Sequence, residues 1–112
     1  FQLLADGVAS YEDIDKAVTD GLGFRWSLMG PFESIHLNAP LGVAQYIERY
    51  GPMYRKMFSN TGDKTDWSLA LEKGLEESLV KKHPISNLDK SCKDRDQKMM
   101  LSLVQKQKGR LN

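Results

Sequence analysis

The stretch "SYEDIDKAVTDG", Ser10 to Gly21, decides the fold class. Ser10 stands where a helix needs its N-cap, and Asp13, three residues on, gives a weak form of the capping box. Glu12, Asp13 and Asp15 put negative charge at the positive end of the helix dipole. Ile14, Ala17 and Val18 fall on one apolar stripe. Gly21 ends the pattern. A helix with both ends written into it sets the expectation for its neighbours.

Toward the N-terminus, "FQLLADG" reads as the last turns of another helix, with Leu3 and Leu4 apolar and Gly7 placed as its C′ residue. A chain that opens there is expected to be part of something longer. Toward the C-terminus, the Gly21–Gly23 turn leads into "FRWSLM", which reads as extended or irregular. Pro31 suits the first turn of a new helix, and "PFESIHLN" is expected to carry Phe32, Ile35 and His36 inward. Pro40 suits a further start. The run after it repeats Val43, Tyr46, Ile47, Tyr50, Tyr54, Met57 and Phe58 at three- and four-residue steps. Gly51-Pro52 predicts a kink or break within that run.

"SNTGDKTD", residues 59–66, is a loop by composition. A helix is expected from about Asp66 to Lys82, with Trp67, Leu71, Leu75 and Leu79 on one stripe. "HPISN" interrupts it. A last helix starts near Ser86 or Asn87 and aligns Leu88, Cys92, Met99, Leu103 and Val104. Its tail, "QKQKGRLN", is expected to fray. No strand pattern, internal repeat or low-complexity segment stands out. The fold class is all-α, with about five helices.

The chain has 112 residues, 40% hydrophobic and 28% charged, enough for one core. A formal net charge of +1 leaves no electrostatic footprint for nucleic acid or an anionic membrane. No apolar run approaches the roughly 20 residues that span a bilayer. The single cysteine, Cys92, cannot form an internal disulfide, which favours a reducing compartment.

Chemistry is sparse. No Gly-x-Gly-x-x-Gly joins a strand to a helix and no P-loop is present. His36, His83 and Cys92 do not have the spacing of a zinc site. Neither catalytic nor metal residues are therefore assigned. His83, in a loop before Pro84 and after two lysines, reads as solvated. Cys92 reads as a small hydrophobe, and "LDKSCKDRDQK" as a solvated helix face with i,i+4 pairs. His36 reads as a packed histidine bonded to backbone or to Asn38; Glu33, one turn earlier, is its nearest carboxylate in sequence. Arg25, between Phe24 and Trp26, either lies on those rings or grips an anion, since a guanidinium forks onto both oxygens of a carboxylate.

The order of motifs resembles the C-terminal domain of the 3-hydroxyacyl-CoA dehydrogenase family. The acidic-Gly-Val-Ala-Ser turn stands at Asp6–Ser10 and the Glu-Asp-Ile-Asp helix at Glu12–Asp15. The Gly-x-Gly turn follows at Gly21–Gly23 and the Gly-Pro-Phe helix start at Gly30–Phe32. "GLGFRWSLMGPFESIHLNA" is similar to the lambda-crystallin, or L-gulonate 3-dehydrogenase, branch. An arginine follows the Gly-Leu-Gly turn there, and a His-Leu-Asn-Ala run follows the Gly-Pro helix. The likeness covers about the first third of the chain, continues weakly through Tyr46–Gly51, and fades.

The resemblance implies a fold like the 6-phosphogluconate dehydrogenase C-terminal domain. Residues 1–112 would be the substrate and dimerisation domain of a larger NAD-dependent 3-hydroxy acid dehydrogenase. NAD and the catalytic His–Glu pair would belong to an N-terminal domain outside this chain, so that His36 is not the catalytic histidine. The chain alone would be inactive and hold no cofactor. Arg25 would clamp the carboxylate of a small-molecule 3-hydroxy acid, with Phe24 and Trp26 anchored in the core. His36 and Asn38 are further candidates to line that site. The protein is expected to be a cytoplasmic homodimer without nucleic-acid or membrane partners. Two alternatives stand: the fatty-acid branch, acting on 3-hydroxyacyl-CoA in mitochondria, or a non-catalytic helical interaction module.

Overall fold

A computed structural model of the chain describes residues 1–58 and 65–110, and over them it contains helices and turns but no strand. The helices are α1 (Gln2–Ala5), α2 (Tyr11–Ala17), α3 (Gly23–Trp26), α4 (Pro31–Asn38), α5 (Val43–Met57), α6 (Ser68–Glu72), α7 (Leu75–Lys82) and α8 (Leu88–Arg110). Five of them are seven residues or longer: α2, α4, α5, α7 and α8. The all-α expectation holds. Most of the loop expected at 59–66 lies outside the described residues.

The described chain divides into two compact units. Phe1–Gly30 and α8 from Lys98 onward form one, and Pro31–Gln97 the other. In the first unit, α1 closes as read. Gly7 takes φ 68°, its N–H reaches the Leu4 carbonyl at 3.1 Å, and Val8 N–H reaches Leu3 at 2.9 Å. That pair of bonds is the Schellman stop. Ser10 caps α2, its Oγ accepting from the Asp13 N–H at 3.1 Å and donating to the Asp13 carboxylate at 2.8 Å. A π-helical turn, Val18–Leu22, follows, and the backbone leaves the helical region at Gly21 (φ −108°, ψ −113°). "FRWSLM" is not extended: it opens with α3, one turn that continues the bonding with Ser27 N–H to Gly23 at 3.0 Å.

The tail of α8 does not fray as expected. It stays helical to Arg110, and Lys106 reaches from it to the Thr19 carbonyl (2.7 Å) and the Asp20 carboxylate (2.6 Å). These two bonds pin the last turns to the π-helical turn.

The second unit holds the core. Val43, Ile47 and Leu79 are its centre, with Ile35, Trp67, Leu71 and Leu75 packed against them. Leu37, Ala39 and Leu88 are buried beside it. The Trp67–Leu79 stripe survives, but not as one helix. Gly74 takes φ 79°, open to glycine and strained for other residues, and separates α6 from α7. α5 starts at Val43 rather than at Pro40, because Gly42 before it has φ 81° and ψ −164°. That region is essentially open to glycine alone.

The helix also runs unbroken through Gly51-Pro52. Pro52 and Glu48 are both exposed, so the Glu48 carbonyl that loses its partner can be hydrated instead. Phe32 does not turn inward and remains 59% exposed. It stands in the first turn of α4, on the rim of an apolar hollow of about 300 Å³ shared with Trp67 and Leu69.

Candidate functional site

Arg25 lies on α3, half-buried, directly after the backbone break at Gly21. Its carbonyl accepts from Leu28 and Met29 (3.2 and 3.3 Å), which fixes the backbone on which the guanidinium is mounted. Among the described residues Arg25 makes no ion pair. The two rings beside it do not both anchor. Phe24 is half-buried, with the Lys106 ammonium 5.5 Å from its ring centroid. Trp26 is 48% exposed. Residues two apart on a helix point about 200° from one another, so a one-turn helix buries one of this pair and not the other.

His36 is fully buried, at 0% exposure. Its Nδ1 accepts from the Val43 N–H at 3.1 Å. Its Nε2 therefore carries the proton, which it donates to the His83 carbonyl at 2.9 Å. His36 thus caps the start of α5, where Gly42 offers no side chain. Gly42 is glycine for a second reason: a Cβ there would lie 2.7 Å from the His36 ring and 2.9 Å from Ile85. Asn38 sits two residues along α4 and is exposed, its Oδ1 accepting from Arg95 at 3.1 Å. His36 and Asn38 share a helix but not a face. Arg25 belongs to the other unit.

His83 is not solvated. Its Nε2 meets the Glu33 carboxylate at 2.6 Å and its Nδ1 meets Ser91 Oγ at 3.1 Å, with the side chain 16% exposed. Glu33 pairs with His83 rather than with His36, and also with Lys82 at 2.9 Å. Burial pushes the Glu33 carboxyl pKa up. The hydrogen bonds from His83 and Lys82, together with their charge, outweigh burial and leave it below its ordinary value of 4.5. Serine, imidazole and carboxylate in this order can form a nucleophilic relay. Here they come from α8, the α7–α8 link and α4, and none lines the hollows described for this unit. The arrangement is a polar latch across three elements.

No spacing signalled it, because Glu33 and His83 are 50 residues apart. The charged run on α8 is also not an i,i+4 ladder: Arg95 pairs with its neighbour Asp96 at 2.9 Å and with Asn38 on α4. Cys92 behaves as a small hydrophobe, half-buried, with its Sγ donating to the Leu37 carbonyl at 3.4 Å.

The family model for the 3-hydroxyacyl-CoA dehydrogenase C-terminal domain matches residues 1–82. The chain belongs to that family. Among curated relatives of this C-terminal domain, lambda-crystallin of Oryctolagus cuniculus is 32% identical over 84 residues, covering 75% of this chain and 26% of the relative. A 3-hydroxyacyl-CoA dehydrogenase of Gibberella moniliformis is 35% identical over 112 residues, covering 96% and 35%. An L-carnitine dehydrogenase of Oceanobacillus iheyensis is 45% identical over 51 residues, covering 45% and 17%. The chain thus spans about a quarter to a third of the length of the first two relatives. No solved structure matches it significantly. The resemblance to the family read from the motifs holds, and proteins named lambda-crystallin, 3-hydroxyacyl-CoA dehydrogenase and L-carnitine dehydrogenase all stand among its relatives.

Among the described residues, the Gly-x-Gly turn does not have the form of a dinucleotide cradle. Gly21 and Gly23 are flanked by helix on both sides. They do not make the strand-to-helix turn that cradles a dinucleotide phosphate.

Proposed function

We propose that this chain is the substrate-binding and dimerisation domain of an NAD-dependent 3-hydroxy acid dehydrogenase, with NAD held by a domain outside these 112 residues. In this reading Arg25 clamps the substrate carboxylate. The supporting observation is a half-buried guanidinium mounted on a short helix after a glycine break, with no acidic partner among the described residues. Such a cation gains most from a ligand that brings the missing anion. A free 3-hydroxy acid does so, whereas a CoA thioester is uncharged at that position. The relative named L-carnitine dehydrogenase favours the free acid, L-carnitine being itself a 3-hydroxy carboxylate. His36 contributes indirectly, by fixing the start of α5.

The fatty-acid reading has its own support in the Gibberella relative, which matches along nearly the whole chain. An interaction module without catalysis has no support beside a match to a dehydrogenase family. The test is NAD reduction by the enzyme that contains this chain, comparing L-gulonate with 3-hydroxybutyryl-CoA, for wild type and Arg25→Met. Gulonate is expected to be the better substrate. The variant is expected to lose about 2–5 kcal/mol of kcat/KM with it, as when one partner of a desolvated charge pair is truncated. A preference for the thioester with a silent mutation would assign the chain to the fatty-acid branch.

A further inference from the structure

A second hollow, of about 350 Å³, lies between the end of α4 and the outer side of α5. Its wall includes Asn38, Gln45, Tyr46, Arg49, Tyr50 and Tyr54. The volume falls at the lower end of the range of small-molecule sites. Two features of the wall define what it can take.

The first is that its two amides and its one guanidinium have donors to spare, beside tyrosine hydroxyls that can donate or accept. Asn38 has its oxygen engaged by Arg95 (3.1 Å), so its amide N–H₂ is the end left over. Gln45 has its oxygen engaged by the Leu41 N–H (3.1 Å), which leaves its N–H₂ in the same way. Arg49 supplies five further N–H groups and the positive charge. It has no carboxylate partner among the described residues, and its guanidinium lies 5.3 Å from the Tyr50 ring centroid. Such a cation–π contact at an exposed position is weak and leaves the charge unneutralised. No acidic side chain lines the hollow.

The second feature is the aromatic wall. The Tyr46 and Tyr50 rings are 4.8 Å apart, and Tyr54 stacks onto Trp67 at 5.0 Å on the core side. These rings pack against their neighbours and line the hollow beside the guanidinium. An anion with a ring attached satisfies both features, whereas a bare anion leaves the aromatic wall against water.

We infer that the hollow between α4 and α5 is a binding site for a small aromatic carboxylate, its carboxylate on Arg49 and the two amides, its ring on the tyrosines. The inference rests on the second unit alone and is independent of the role given to Arg25.

The test is a two-dimensional amide NMR titration of the chain with benzoate, with acetate and benzyl alcohol as separate carriers of the charge and the ring. Benzoate is expected to give saturating shifts at residues 38–54, with acetate and benzyl alcohol each much weaker. Arg49→Gln, at an exposed position that leaves the core untouched, is expected to weaken benzoate about fivefold, the range of a solvent-accessible ion pair. Tyr50→Leu is expected to reduce benzoate to the level of acetate. Acetate or benzyl alcohol binding as well as benzoate would overturn the assignment, as would benzoate shifts unchanged in Arg49→Gln or no saturating shift at all. Concentration-dependent shifts at residues 38–49 that benzoate does not displace would also overturn it, by assigning the hollow to a second copy of the chain.

Discussion

Glu33 and His36 lie three residues apart on α4 and do different work. His36 is the interior pin, with both ring nitrogens spent on backbone groups of α5 and of the α7–α8 link. Replacing it would orphan a buried donor and a buried acceptor together, and each unmade bond costs about 1–3 kcal/mol. Glu33 is the outer latch, one fifth exposed, receiving His83 and Lys82. Its carboxyl pKa is lowered in the folded chain from 4.5. A group depressed on folding adds stability above its unfolded pKa and loses it as pH falls through the folded value. The melting temperature should therefore decline as pH drops below 4.5. Glu33→Gln should melt lower than wild type at pH 6, and the gap should close in acid. Thermal melts across that range decide the matter, and a gap that stays constant into acid would remove the latch from the account.

At the scale of elements, glycine explains most differences between sequence expectation and structure, because its role depends on a backbone angle that local pattern does not reveal. Gly7 and Gly21 were legible as stops, since an apolar stripe ends at each. Gly74 was not, since Trp67, Leu71, Leu75 and Leu79 keep one stripe across it and periodicity alone cannot see a φ of 79°. The π-helical turn was hidden for the same reason. Arg25 stands out as a candidate by its setting between two aromatic residues, whereas the Glu33–His83–Ser91 latch depended on packing between distant segments. The tyrosines at Tyr46, Tyr50 and Tyr54 were legible as one helical stripe, but not that each would end only half-buried. Gly51 is a glycine in mid-helix with two opposed reasons for and against it. A Cβ there would meet Ile47 and Trp67 at 3.9 Å, an ordinary van der Waals distance, but Gly51 precedes Pro52 within the helix, where the proline Cδ crowds a Cβ on the preceding residue. Gly51→Ala should therefore not deliver the roughly 0.5–1 kcal/mol that removing a helical glycine usually gains. Urea denaturation measures this directly, and a variant stabilised by that full amount would show that Pro52 leaves room for the methyl group.

Each unit, taken by itself, presents more apolar surface than a free surface usually carries. In the first unit no described side chain is buried, and Leu3, Leu4, Val18 and Leu22 are all about half exposed. In the second, α5 buries Val43 and Ile47 at its start, yet leaves Met53 47% and Met57 62% exposed farther along. Methionines on an outward helix face adapt readily to a second surface, and two-fold pairing is the commonest way to cover one. The proposed homodimer would use this end of α5. A buried methionine contributes about 1.5–3 kcal/mol, so the double variant Met53→Lys/Met57→Lys should raise the dimer dissociation constant by at least about a hundredfold. Both residues are remote from the His36 pin, so helix content by circular dichroism should be unchanged. Sedimentation equilibrium of wild type and variant over a range of concentrations tests both statements. A dimer that dissociates in the variant places the contact on α5. A dimer unaffected by two buried lysines must pair elsewhere, and a wild-type chain that stays monomeric at every concentration would leave these methionines without the pairing role.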